Sequence, residues 1–161
     1  MKKLLKVLAL VAVMFATVNV ARAERVDTPI DKMPENVKTQ IQAFLNDYYP
    51  GVAVKSSWAK MMRPTTEPMW WRVNLENGTK LQFSLDGNWT NINAKKATTP
   101  VSIDVLPNEA RKYISQNYAN QTIKSVNFKK DQYKVTLSNG DKLTFDKTYQ
   151  FKVKKHKDKK K

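Results

Sequence analysis

An α+β fold of tandem αββββ units, sharing one antiparallel sheet with the helices packed on one face, is the class that this 161-residue sequence predicts. Three observations predict it. The thirteen residues from Trp71 to Phe83, WRVNLENGTKLQF, recur as YKVTLSNGDKLTF from Tyr133 to Phe145, with Val73/Val135, Leu75/Leu137, Asn77/Asn139, Gly78/Gly140, Lys80/Lys142, Leu81/Leu143 and Phe83/Phe145 identical. Ahead of each stretch an apolar residue and a proline, Met33-Pro34 and Leu106-Pro107, open a segment with helical periodicity. Within each stretch apolar and polar residues alternate, as in a sheet covered on one face only.

The first helix carries Val37, Ile41, Phe44, Leu45 and Tyr48 on one stripe, and the second carries Ala110, Tyr113, Ile114 and Tyr118. Proline suits a helix start because its missing N–H has no intrahelical acceptor there. Aligning Tyr49–Ser56 with Tyr118–Ser125 makes the first helix longer by 73 − 69 = 4 residues, about one turn, so its buried stripe keeps its phase. In the first hairpin Trp71, Val73, Leu75, Leu81, Phe83 and Leu85 share the apolar face, and Asn-Gly is expected as a two-residue turn with positive φ at both positions. Asp86-Gly87 then turns into a strand around Trp89 to Ile92, matched more loosely by Phe151 to Val153. The first copy holds 69 − 62 = 7 extra residues within Met61–Met69, expected to form a loop. Trp58 and Trp89 are expected under the helices.

Residues 1–23 read as a cleavable signal peptide: Lys2, Lys3 and Lys6, an apolar run from Val7 to Val18, then Ala21-Arg22-Ala23. The run is short for a membrane span, and no cysteine stands by for a lipid anchor. The expected location is therefore periplasmic or secreted. The rest divides into a first repeat at 24–97, a second at 98–153 and a lysine-rich tail at 154–161, expected to be disordered because like charges repel and bury nothing. Formal net charge falls from +15 to +11 on removing the four basic residues of the signal segment, and the tail supplies +5 of that.

The apolar-Pro, helix, Tyr-Pro-Gly, strand, aromatic-x-Val-x-Leu-x-Asn-Gly-x-Lys-Leu-x-Phe and Asp-Gly-Asn-Trp order resembles the PepSY-like, β-lactamase-inhibitor-protein-like domains exported by Bacteroidetes, over about Ile30 to Val153. The resemblance implies one curved sheet with helices on its convex side. In the inhibitor that lends its name, the open face clamps a protruding loop of an enzyme. The chain departs from the pattern in the 61–69 insertion, in Thr148-Tyr149 where Asp-Gly would recur, and in its tail.

The insertion and the polar side of the hairpin supply the candidate partner-binding residues: Met61, Met62, Arg63, Met69 and Trp70, rimmed by Arg72, Asn74, Lys80 and Gln82. Methionine and tryptophan are common where proteins grip partners, although the same segment could fold back over its own apolar cluster. Chemistry is poorly represented. There is no cysteine, His156 stands alone among tail lysines, and Asp86, Asp131, Asp141 and Asp146 sit in turns or surfaces rather than paired in a cleft. Asp86-Gly87-Asn88 lacks the further oxygen ligands of a calcium loop. No catalytic residue, cofactor or metal is expected. The reading is a monomeric, non-catalytic module that recognises a protein or peptide, inhibition included, through the open sheet face and the 61–70 loop. The alternative is adhesion to anionic envelope polymer or membrane through the tail. No sequence-specific nucleic-acid recognition is expected, and a hydrolase on a cystatin-like sheet is the third class.

Overall fold

The computed structural model describes residues 22–146 and the backbone of 151–152. The proposed signal segment up to residue 21, the Thr148-Tyr149 turn and the lysine tail lie outside the described residues. Among the described residues nine strands form one sheet in chain order, every neighbouring pair antiparallel. They are β1 (Ala23–Asp27), β2 (Val54–Met62), β3 (Glu67–Leu75), β4 (Lys80–Phe83), β5 (Trp89–Asn93), β6 (Ile123–Lys129), β7 (Gln132–Leu137), β8 (Lys142–Asp146) and β9 (Phe151–Lys152). Helix α1 (Glu35–Tyr48) precedes β2, and α2 (Asn108–Asn117) precedes β6. The fold is α+β, as expected. Strand β1 was not expected, and it begins at Ala23, inside the segment assigned to the signal.

Both prolines stand at N-caps, Pro34 and Pro107, each preceded by a single 3₁₀ turn that the sequence did not announce. Helix α1 has 14 residues and α2 has 10, the four-residue difference read from the alignment. Val37, Ile41 and Phe44 are buried from α1, and Ala110 and Ile114 from α2. They meet the apolar side of the sheet: Phe44 sets its ring edge-on to Phe83 at 5.6 Å, and Tyr113 does the same to Phe145 at 5.9 Å. The β5–β6 pairing, with Ile92 opposite Val126, carries the buried row from one half of the sheet into the other. Trp89 packs on this side, as expected, within ring contact of Phe44, Phe128 and Tyr133.

Three turns differ from expectation. Asn77-Gly78 is not a two-residue turn. The Gly78 N–H donates to Leu75 O and the Leu75 N–H to Thr79 O; only Gly78 takes positive φ, at +88°. This is a type I turn with a glycine bulge, and Gly140 repeats it at φ +92° with donation to Leu137 O. Asparagine contributes through its side chain, since Asn77 Oδ1 accepts from the Thr79 N–H and Asn139 Oδ1 from the Asp141 N–H. A two-residue turn with two positive φ values does occur, at Lys130-Asp131 (+53° and +55°) between β6 and β7. Leu85 falls in the turn after β4 and is 48% exposed, so it leaves the apolar row.

Tyr49, at the C-cap of α1, is buried with its phenol oxygen unpartnered, and burial pushes its pKa up to about 12. A raised folded pKa means that the unfolded chain loses its proton first. Stability from this group is therefore intact below pH ~10 and drains as pH climbs to ~12, by about 2–3 kcal/mol. Tyr49→Phe is expected to match or exceed the parent at neutral pH, by up to about 1 kcal/mol, and to flatten that alkaline loss. Urea unfolding at neutral pH and above pH 10 measures both; an unchanged alkaline slope in the variant would refute the assignment.

Candidate functional site

Strand alternation puts one set of side chains opposite the helices. Register places Asp27 opposite Trp58, Trp58 opposite Arg72, Lys60 opposite Trp70, Arg72 opposite Gln82 and Asn74 opposite Lys80. The corresponding inward pairs are Ala59 with Trp71 and Val73 with Leu81, all buried. None of the outward residues named here is buried, so no described element roofs this face. It continues across β5 to β8 as Asn91, Asn93, Asn127, Lys134, Thr136 and Thr144.

Trp58 is a correction. It does not lie under a helix; it stands on the open face with its ring 5.0 Å from that of Trp70. The parity of its neighbours decides this, because Ser57 and Ala59 are the buried residues of β2. Arg72 lies against both indoles, its guanidinium carbon 5.7 Å from the Trp58 ring centre and 5.3 Å from that of Trp70. Arg25 approaches Trp58 as well, at 5.2 Å. Such cation–π contacts are each worth about 0.5–2 kcal/mol. Arg72 Nη2 donates to Gln82 Oε1 at 3.2 Å, and Asn74 Nδ2 donates to Ser56 Oγ at 2.9 Å. Arg72 Nε is sealed without an acceptor, and burial pushes the guanidinium below its ordinary pKa while leaving it charged.

The 61–69 insertion is not a loop. Its residues lengthen β2 and β3 into a longer hairpin closed by a turn at 63–66, with a register shift between Lys60 and Met61. The shift separates the expected site residues. Trp70, Arg72, Asn74, Lys80 and Gln82 gather on the open face. Met61 packs against the core on the helix side and lines a cavity of about 540 Å³ with Glu24, Val26 and Pro64. Met62 and Met69 stand exposed near the hairpin end, and Arg63 is tied to Glu24 by an ion pair and to Arg22 O through its backbone N–H. Sequence reasoning misses Trp58, Arg25 and Lys60; the alternation of Ser57 and Ala59 is the available signal for the first.

The aromatic cluster belongs to one half only. Aligning the two hairpins puts Gln132 where Trp70 stands and Lys134 where Arg72 stands, and aligning the preceding strands puts Asn127 at the place of Trp58. The buried rows match, while the open rows diverge at the cluster and keep Lys80/Lys142. Among the described residues no three or more His, Cys, Asp or Glu side chains are grouped to hold a metal ion, and no helix is long and apolar enough to cross a membrane.

Solved structures share this architecture. A protein described as a "putative calcium-regulated periplasmic protein" from Bacteroides thetaiotaomicron superposes with a TM-score of 0.67 at 23% identity, over 80% of this chain and 94% of that one. A "putative periplasmic protein from DUF2874 family" from Bacteroides vulgatus gives 0.65 at 25% identity, again over 80% and 94%. A second B. vulgatus "putative periplasmic protein of unknown function" gives 0.67 at 22%, over 80% and 97%. No curated protein matches the sequence. Residues 70–153, from the Trp70 of the cluster through β9, match the family described as "Putative beta-lactamase-inhibitor-like, PepSY-like". That stretch is more than half of the 161 residues, and the chain belongs to this PepSY-like family.

Proposed function

We propose that the chain is an exported, non-catalytic binding module that recognises a protein or peptide through the open face of its first half. The observation that carries this is the uncovered Trp58–Trp70–Arg72 cluster, for which the fold itself has no packing use. Large aromatic rings and arginine concentrate binding energy when a partner desolvates them. The exposed Met62, two residues past Lys60 on β2, extends this surface toward the hairpin end with an adaptable side chain. Periplasmic residence is supported by the description of the structural relatives and by the N-terminal signal pattern. The family description lends support to an inhibitory form of that binding. Duplication of one αββββ unit accounts for the twin hairpins, with the core rows kept and one open row elaborated for recognition.

Envelope extract passed over the immobilised mature chain tests the site. A retained protein is expected to drop by about tenfold or more with Trp58→Ala/Trp70→Ala, at the scale of a small hot spot, and to stay with Gln116→Ala on the exposed surface of α2. Equal retention by both variants would remove the face from consideration.

A further inference from the structure

The two guanidinium groups at Trp58 are in different electrostatic states. Arg25 already has a counter-ion, Asp27 Oδ1 at 2.7 Å. Arg72 has none: its side-chain hydrogen bond goes to the neutral Gln82 amide, and no Asp or Glu pairs with it among the described residues. Lys60 is likewise without a carboxylate among the described residues, its Nζ reaching Ala23 O at 3.4 Å. Across the described open face, Lys80, Lys134 and Lys142 add positive charge, whereas Asp27, Asp146 and, at the hairpin end opposite Met62, Glu67 are the carboxylates that register places there. We propose that this face seats an acidic protein segment, with an Asp or Glu carboxylate of the partner on the Arg72 guanidinium beside Trp58 and Trp70. The proposal rests on the open-face reading above.

The geometry favours a carboxylate carried by a peptide. Two indoles hold the planar guanidinium in place, and with Nε sealed and Nη2 bonded to Gln82 the remaining Nη hydrogens carry the contact at a reduced ordering cost. Indole surface beside the Arg72 guanidinium suits a carboxylate flanked by apolar side chains. A sulfated polymer or lipid head group would be drawn by clustered lysines with no need of the rings. Lys134, at the matching place in the other half, has no aromatic flank and serves as a control for charge alone.

The test is fluorescence anisotropy of a labelled peptide of alternating glutamate and leucine, beside its glutamine counterpart, with heparin and phosphatidylglycerol vesicles as competitors. For the glutamate peptide, Arg72→Gln is expected to weaken binding by about tenfold or more and Arg72→Lys by several-fold, with Lys134→Gln changing it less than about twofold. Unchanged thermal melts establish that the variants fold. The idea is overturned if wild type does not bind the glutamate peptide, if the glutamine peptide binds equally, if Arg72→Gln and Lys134→Gln act alike, or if heparin or vesicles depend on Arg72 while the peptide does not. A partner lost with Trp58→Ala/Trp70→Ala but kept by Arg72→Gln would overturn this inference and leave the open-face reading standing.

Discussion

Phe83→Ala is expected to lower the unfolding free energy by about 3–5 kcal/mol, the range for deleting a fully buried aromatic ring. Phe83 has no solvent exposure and sits opposite both Trp71 on β3 and Trp89 on β5, beneath the edge of Phe44. The neighbours cannot close the gap cheaply. Trp71 and Phe44 are themselves buried parts of the same cluster, and Trp89 reaches on to Phe128 and Tyr133 across the β5–β6 junction. Leu85→Ala, two residues on, is expected to cost under about 0.5 kcal/mol because that side chain is already half exposed. Urea denaturation followed by far-ultraviolet circular dichroism measures the contrast. A loss below about 1 kcal/mol for Phe83→Ala, or similar losses for both, would contradict the assignment of the apolar row.

That contrast also separates what the chain announces from what it conceals. Val73, Leu75, Leu81 and Phe83 are legible because a period of two with one apolar side fits a half-covered strand and does not fit a helix. The helix stripes are legible by the same logic at their own period. Leu85 continues the alternation in sequence, yet the turn bonds of Ser84 and Gly87 end the strand before it. Turn chemistry is harder still: Asn-Gly fits two turn types, and the choice depends on where Leu75 and Thr79 pair. Strand β1, AERVD, carries three charged residues in five and lies against an expected cleavage site, so no local signal marks it; β2 supplies its reason to exist. On the candidate face, Arg72, Asn74, Lys80 and Gln82 follow from parity alone. For Trp58 the two signals conflict, bulk pointing inward and parity outward, and parity wins. The methionines look like one group because composition does not reveal the register shift after Lys60.

Gly87→Ala is expected to cost about 2–4 kcal/mol, combining the strain of positive φ with overpacking. Gly87 has φ +82°, and a Cβ there would lie 2.8 Å from Gln40 Cβ and 3.0 Å from Val37 Cα. The second of these atoms is helix backbone, so relief requires α1 to move, and α1 is held by Val37 and Ile41, both fully buried. Gly140→Ala isolates the conformational part, since φ is +92° and nothing lies within 4 Å of the added carbon; about 1–2 kcal/mol is expected there. The difference between the two variants therefore measures how firmly the β4–β5 turn is seated on α1. It bears on recognition as well. Strand β4 carries Gln82, the hydrogen-bond acceptor of Arg72, so a turn lifted from the helix disturbs the strand that steadies the guanidinium. Equal losses from Gly87→Ala and Gly140→Ala, measured by chemical unfolding, would mean that the helix yields freely and that the open face is not braced from behind.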